Sequence, residues 1–165
     1  MTFSIWLEPT MKDSIYLKNI IKELAKNYGS DVFDPHITLF SGIERSNLAV
    51  SAIKHCHSHR SVRTRIIDIK SSEVIWKTVF VNVQNNPSLL QLNHTIKKIA
   101  GMNNTYRFQP HISLIYKILD SKTKREIIKK LKIKSTFCFD KISAIKSSQD
   151  ISEWRKLETV HLHSD

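Results

Sequence analysis

Two stretches constrain this chain more than any others: "DPHITLF" at residues 34–40 and "QPHISLI" at residues 109–115. Each carries Pro, His, Ile, a hydroxyl residue and Leu in the same order. Each also falls at the same point in an alternation of strand and helix signals. In the first half, "TFSIWLE" reads as a strand with Phe3, Ile5 and Leu7 on one face and Ser4, Trp6 and Glu8 on the other. "MKDSIYLKNIIKELAKNYG" reads as a helix with apolar Ile15, Leu17, Ile20, Ile21, Leu24 and Ala25 and a Gly29 stop. "VFDPHITLF" reads as the next strand, and "SNLAVSAIKHCHSH" as a helix capped by Ser46.

"VRTRIIDIKS" and "VIWKTVFVNVQ" read as strands, the second with Val79, Val81 and Val83 opposite Thr78, Phe80 and Asn82. Then the order recurs. "PSLLQLNHTIKKIAG" is a helix between Pro87 and Gly101, "FQPHISLIYKI" a strand, and "DSKTKREIIKKLKIK" a helix. "STFCFDKISAIKS" and "LETVHLH" complete the set as strands. This pattern predicts an α+β fold of two related lobes, each a sheet with helices on its outer side. No linker or low-complexity tract divides residues 1–165, which read as one two-lobed domain.

Strand parity turns the repeated phrase into chemistry. His36 and Thr38 share one face, with Ile37 and Leu39 on the other; His111 and Ser113 oppose Ile112 and Leu114 in the same way. Pro35 and Pro110 lack a ladder donor and place each His near a strand entry. Two imidazoles and two hydroxyls facing one groove suit phosphodiester hydrolysis. A neutral imidazole takes a proton from water, and an imidazolium gives one to the leaving oxygen. The hydroxyls donate to phosphoryl oxygens whose charge grows in the transition state.

The charge balance agrees with an anionic substrate. Lys and Arg total 26 against 15 Asp and Glu, a formal charge of +11, and such a field attracts phosphate esters. Two cysteines, Cys56 and Cys138, do not make a disulfide framework. The N-terminus does not read as a signal peptide, and no apolar run reaches membrane-spanning length. A cytoplasmic location follows as the expectation. "HCHSH" at 55–59 has no second cluster to complete a zinc set and reads as a solvated helix end. "HLH" at 161–163 reads as an edge strand.

The paired "HITL" (36–39) and "HISL" (111–114) resemble the H-x-[TS]-x motifs of the two-histidine (2H) phosphoesterase superfamily. The chain is most similar to its cyclic phosphodiesterase branch. That resemblance implies that the lobes are pseudo-symmetric, that their sheets are mainly antiparallel and that a cleft lies between them. It implies hydrolytic opening of a ribose cyclic phosphate, such as a nucleoside 2′,3′-cyclic phosphate or ADP-ribose 1″,2″-cyclic phosphate. It implies neither metal nor cofactor, with His36, His111, Thr38 and Ser113 as the catalytic set. It also implies nucleotide contacts by Trp6 in the first strand and Tyr116 after the second motif.

Trp6, on a polar strand face, is read as a stacking surface for a base or ribose. Tyr116 reaches the cleft only if the strand ends or bulges after Ile115. Phe80 is a candidate second aromatic of the cleft. The working assignment gives water activation to His111 and proton donation to His36; substrate orientation in a pseudo-symmetric site decides it. Expected partners are a nucleotide or RNA-end cyclic phosphate, with no membrane and the chain acting as a monomer. The alternatives are a LigT-like RNA-end or 2′–5′ RNA phosphodiesterase or ligase, and a non-catalytic RNA- or nucleotide-binding module.

Overall fold

The computed structural model describes residues 2–100 and 106–164. Along them run β1 (Thr2–Pro9), α1 (Met11–Tyr28), β2 (Ile37–Ile43), α2 (Ser46–Lys54), β3 (Val62–Ser71) and β4 (Val79–Val83). These are followed by α3 (Pro87–Ala100), β5 (His111–Ile115), α4 (Ser121–Lys130), β6 (Thr136–Ser147) and β7 (Arg155–His161). The order β1-α1-β2-α2-β3 is therefore repeated as β4-α3-β5-α4-β6.

The pairing repeats with it, and every strand pair is antiparallel. One lobe is β2-β1-β6, extended by β7 at its edge; the other is β5-β4-β3. The third strand of each half thus lies beside the first strand of the other half. Two seams join the lobes: β2 meets β5 at Ile37↔Ile112, and β3 meets β6 through Val62–Arg65 against Thr136–Phe139. The helices are exchanged in the same sense. α1 packs on β5 and α3 on β2, while α2 packs on β6 and α4 on β3.

Each sheet buries the apolar half of its alternating strands. Ile5, Leu7, Ile37 and Leu39 are fully buried in one lobe and Val79, Val81, Ile112 and Leu114 in the other. α1 supplies Leu17, Ile21 and Leu24 at helical spacing. Ile15 falls outside that stripe and is exposed. The helix ends at Gly29, whose φ of 65° lets its N–H reach the Ala25 carbonyl.

Several boundaries differ from the sequence reading, among them the following three. Ser46 is the first helical residue of α2, and Arg45 occupies the cap position without a side-chain cap bond. β2 begins at Ile37, after Pro35, because the ladder cannot use a residue without an N–H. The run from Val74 is not strand until Val79: Ile75–Lys77 form a 3₁₀ turn. Side chains hold that turn, with Thr78 Oγ1 donating to Ile75 O at 3.1 Å and Ser72 Oγ to Lys77 O at 2.7 Å. Gly101 lies outside the described residues. No described helix is long and apolar enough to cross a membrane.

Candidate active site

The cleft between the lobes holds a cavity of about 1080 Å³, and His36, Thr38, His111, Ser113, Trp6 and Tyr116 all line it. The two imidazoles are held alike. His36 Nδ1 lies 2.7 Å from the Asp34 carbonyl, and His111 Nδ1 lies 2.7 Å from the Gln109 carbonyl. In each case the acceptor is two residues back, across the proline. A carbonyl only accepts, so Nδ1 carries the hydrogen in both rings. Nε2 is then the nitrogen left to exchange a proton with whatever enters the cleft.

An aromatic on the neighbouring strand backs each imidazole. Trp6 is the cross-strand partner of Thr38, and Phe80 is the partner of Ser113, so the two occupy equivalent places in the repeat. They are used differently. Trp6 stacks flat on His36, with centroids 3.6 Å apart and planes at 5°. Phe80 meets His111 edge-on at 5.5 Å and 74°. Its ring face takes the Lys77 ammonium at 4.5 Å. Phe80 is buried behind His111 and is not among the residues lining the cavity.

The surroundings set the charge on each ring. Burial pulls the His36 pKa down to about 4, opposed by the bond to Asp34 and by the Glu8 and Asp34 carboxylates, while His111 adds to the depression. His111 is also held below the usual imidazole value, first by burial and then by Lys77, with the Gln109 bond opposing. Both rings are thus held less basic than a free imidazole, His36 more so than His111. Glu8, on the same β1 face as Trp6, pairs with Lys156 at 2.7 Å.

The hydroxyls are unequal. Among the described residues the Thr38 hydroxyl has no hydrogen-bond partner, whereas Ser113 Oγ donates to Trp76 O at 2.7 Å. β5 ends at Ile115, and Tyr116 lies just beyond, lining the cavity and stacking on Phe33 at 3.8 Å. Burial raises its hydroxyl pKa, with hydrogen bonding to Ser113 pulling the other way.

Trp76, Trp154, Tyr106 and Lys77 are among the cavity residues not singled out from the sequence. Trp154 touches Trp6 at 5.2 Å, Trp76 at 5.8 Å and Tyr116 at 6.0 Å, so all three tryptophans of the chain form one cluster. Trp76 and Trp154 stand on the 3₁₀ turn before β4 and just after a second one at Ile151–Glu153. Strand parity says nothing about where a turn residue points. The Tyr106 hydroxyl donates to Thr38 O at 3.0 Å, and burial pushes its pKa up to about 12. Around 55–59, His55 and His57 bond to carbonyls of their own helix turn, and Cys56 is buried. Among the described residues no group of three His, Cys, Asp or Glu is placed to hold a metal.

Two interlocked antiparallel lobes thus each present one His-x-Thr/Ser pair to a shared cleft. Solved structures share the fold. LigT of E. coli aligns over 98% of this chain and 97% of its own, with a TM-score of 0.63 at 13% identity. TT0787 of Thermus thermophilus aligns over the whole of both chains, with a TM-score of 0.62 at 14% identity. The model of the cyclic phosphodiesterase-like protein family matches residues 1–162, and the chain belongs to that family. A cyclic phosphodiesterase of Arabidopsis thaliana is 20% identical over 128 residues, covering 74% of this chain and 69% of the relative.

Proposed function

We propose that this protein hydrolyses a ribose cyclic phosphate to a phosphomonoester, with His36 and His111 as general acid and base. One observation carries the reading. Both imidazoles give Nδ1 to a main-chain carbonyl, which leaves two Nε2 atoms available to one cavity. A phosphodiester between them has a proton acceptor for the attacking water and a proton donor for the leaving ribose oxygen. Neither step requires a metal, and the whole 165-residue chain acts as one unit.

Local charge sorts the roles. The Glu8 and Asp34 carboxylates favour an imidazolium at His36, while the Lys77 cation disfavours one at His111. Burial disfavours the charged form of both rings, and of His36 more than of His111. The assignment of His36 as the acid and His111 as the base therefore rests on the bound phosphate's negative charge offsetting that burial.

Hydrolysis of nucleoside 2′,3′-cyclic phosphates, ADP-ribose cyclic phosphate and RNA ends is to be followed by phosphorus NMR for wild type, His36→Ala and His111→Ala. Either substitution is expected to lower kcat on the order of a hundredfold or more. Wild-type inactivity on every substrate sinks the reading. A p-nitrophenyl diester, whose leaving group needs no proton, separates the roles: it restores turnover to His36→Ala and not to His111→Ala.

A second reading, action on an RNA end, is favoured by the size of the cleft. At about 1080 Å³ it stands at the upper limit of small-molecule sites. Away from the histidines it continues past Ser4, Ser41 and Ser147, whose hydroxyls are linked at 3.0 and 3.2 Å. E. coli LigT has been solved with 3′-AMP, ATP and NADP+, ligands of more than one size. A higher kcat/KM for an oligonucleotide than for a mononucleotide cyclic phosphate selects this reading. Tight binding with no product in a single turnover selects a non-catalytic module instead.

A further inference from the structure

A second phrase is written twice in this chain. "IKSSEVIWK" at 69–77 and "IKSSQDISEWR" at 145–155 share Ile, Lys, two Ser, a later Ile and a Trp followed by a cation, the second copy being longer by two residues. Each copy begins in the third strand of its half, β3 or β6, and runs into a 3₁₀ turn, Ile75–Lys77 or Ile151–Glu153. The turns start alike. Ser72 Oγ accepts from Val74 N at 3.2 Å, and Ser148 Oγ accepts from Asp150 N at 3.1 Å. The repeat that supplies two His-x-Thr/Ser pairs thus also supplies Trp76 and Trp154, and both line the cavity.

The two indoles come from opposite lobes and meet, with centroids 5.8 Å apart. Each is tied to the frame: Trp76 O accepts from Ser113 Oγ at 2.7 Å, and Trp154 Nε1 donates to Ser148 O at 2.8 Å. Each also borders one half-site. Trp76 does so through Ser113, and Trp154 through Trp6, the ring stacked on His36.

Their ring faces separate them from the other aromatics of the cavity. Trp6 and Tyr116, to which the family resemblance assigns the nucleotide, are 6% and 7% exposed, and each has a face taken by a stacked ring, His36 or Phe33. Tyr106 spends its hydroxyl on Thr38 O and packs on Phe40. Trp76 and Trp154 are half-buried, and among the described residues no ring stacks on either; their aromatic neighbours meet them at 40° to 80°. A half-buried indole at a wet cavity offers a flat apolar face that a nucleobase covers.

Granted that this site opens a ribose cyclic phosphate, we propose that Trp76 and Trp154 together bind the base carried by the reacting ribose. The substrate is then a nucleoside 2′,3′-cyclic phosphate, free or at the end of a strand. Such an ester has its base on C1′, next to the carbons that bear the phosphate. With phosphorus between the two imidazoles, that base reaches the tryptophans that border both half-sites. A 1″,2″-cyclic phosphate of ADP-ribose has its phosphate on C1″ itself and no base on that ribose. The two indoles set specificity and transfer no proton.

Adenosine 2′,3′-cyclic phosphate is to be compared with 1-O-methylribose 2′,3′-cyclic phosphate, which lacks the base, in wild type and in Leu and Phe variants of each tryptophan. Wild type is expected to favour the adenosine ester in kcat/KM. Trp76→Leu and Trp154→Leu each lower that preference at least roughly fivefold, as for loss of one stacked ring, and do so through KM. Trp76→Phe and Trp154→Phe keep a ring and most of the preference. A preference unchanged in both Leu variants overturns the proposal, whatever the absolute rates. Binding to wild type needs neither turnover nor a variant. Nuclear Overhauser contacts from adenine H2 and H8 of 3′-AMP to the indole protons of Trp76 and Trp154 are expected, and contacts to neither ring overturn the proposal. Should wild type open neither ester, the hydrolytic reading fails by itself, and these contacts decide the tryptophans.

Discussion

Trp6 lies flat against His36, 3.6 Å between centroids and 5° from parallel, and both rings are only 6% exposed. The tryptophan that parity assigns to a polar strand face is therefore spent, on one side, on the histidine itself. Its place in the site is to shape the His36 environment as well as to line the cavity.

Removing that ring admits water to His36. Trp6→Ala is expected to cost about 3–5 kcal/mol of stability, as for other buried aromatics. It should also raise the His36 pKa from about 4 towards its ordinary value, because burial is the leading cause of the depression. Trp6→Phe keeps a stacked ring and shows smaller changes in both. Thermal melts and NMR titration of the histidine rings measure the two effects. An unmoved His36 pKa in Trp6→Ala contradicts this account.

His36 also ties stability to pH. Its folded pKa is about 4, against about 6.5 unfolded, so the unfolded chain binds the proton more readily. The contribution is complete above pH 6.5 and is lost as pH falls from there through 4. Over that window the loss is on the order of 3 kcal/mol. Urea melts at about pH 7 and about pH 5 should show a drop in wild type that is smaller in His36→Gln.

The hydroxyls predict different signatures. The Thr38 hydroxyl has no partner among the described residues, and Thr38→Val should lower kcat on the order of a hundredfold with little change in melting temperature. Ser113 also holds the Trp76 carbonyl. Ser113→Ala should lower kcat to a similar extent and cost about 1 kcal/mol of stability besides, as the turn before β4 loosens. Equal melting temperatures in the two variants would contradict the difference between them.

Catalysis should be fastest on the acid side of neutrality. Both imidazoles titrate below the ordinary 6.5 in the free protein, and one must be protonated while the other is neutral. The bell in kcat/KM therefore has both limbs below about pH 6.5, with apparent values that belong to the pair. The kcat profile shifts upward, since bound phosphate favours the imidazolium. A kcat/KM maximum above about pH 7 is the result that does not fit.

Much of this is legible before the structure because strand parity is strict. Side chains two apart share a face, so His36 with Thr38 and His111 with Ser113 follow from alternation alone. Gly29 is nameable as a helix stop for the same local reason. Ser46 falls one position away from its expected place because caps depend on the entering backbone, and Arg45 enters extended. The turn at Ile75–Lys77 reads as strand, since its apolar residues resemble one; the side chains that close it come from Ser72, Thr78 and Ser113. Trp76, Trp154, Tyr106 and Lys77 carry no such signal because turns and loops direct their side chains by contacts distant in sequence.

The sequence by itself determined the two half-sites: local periodicity specifies which residues share a face, and the doubled phrase specifies it twice. Only the tertiary structure decided that the halves are unequal. Chain exchange between the lobes brings Trp6 flat onto His36, sets Lys77 on Phe80 beside His111, and bonds Ser113 to the Trp76 carbonyl. Burial, charge and a committed hydrogen bond are properties of neighbours, and those neighbours meet only in the folded chain.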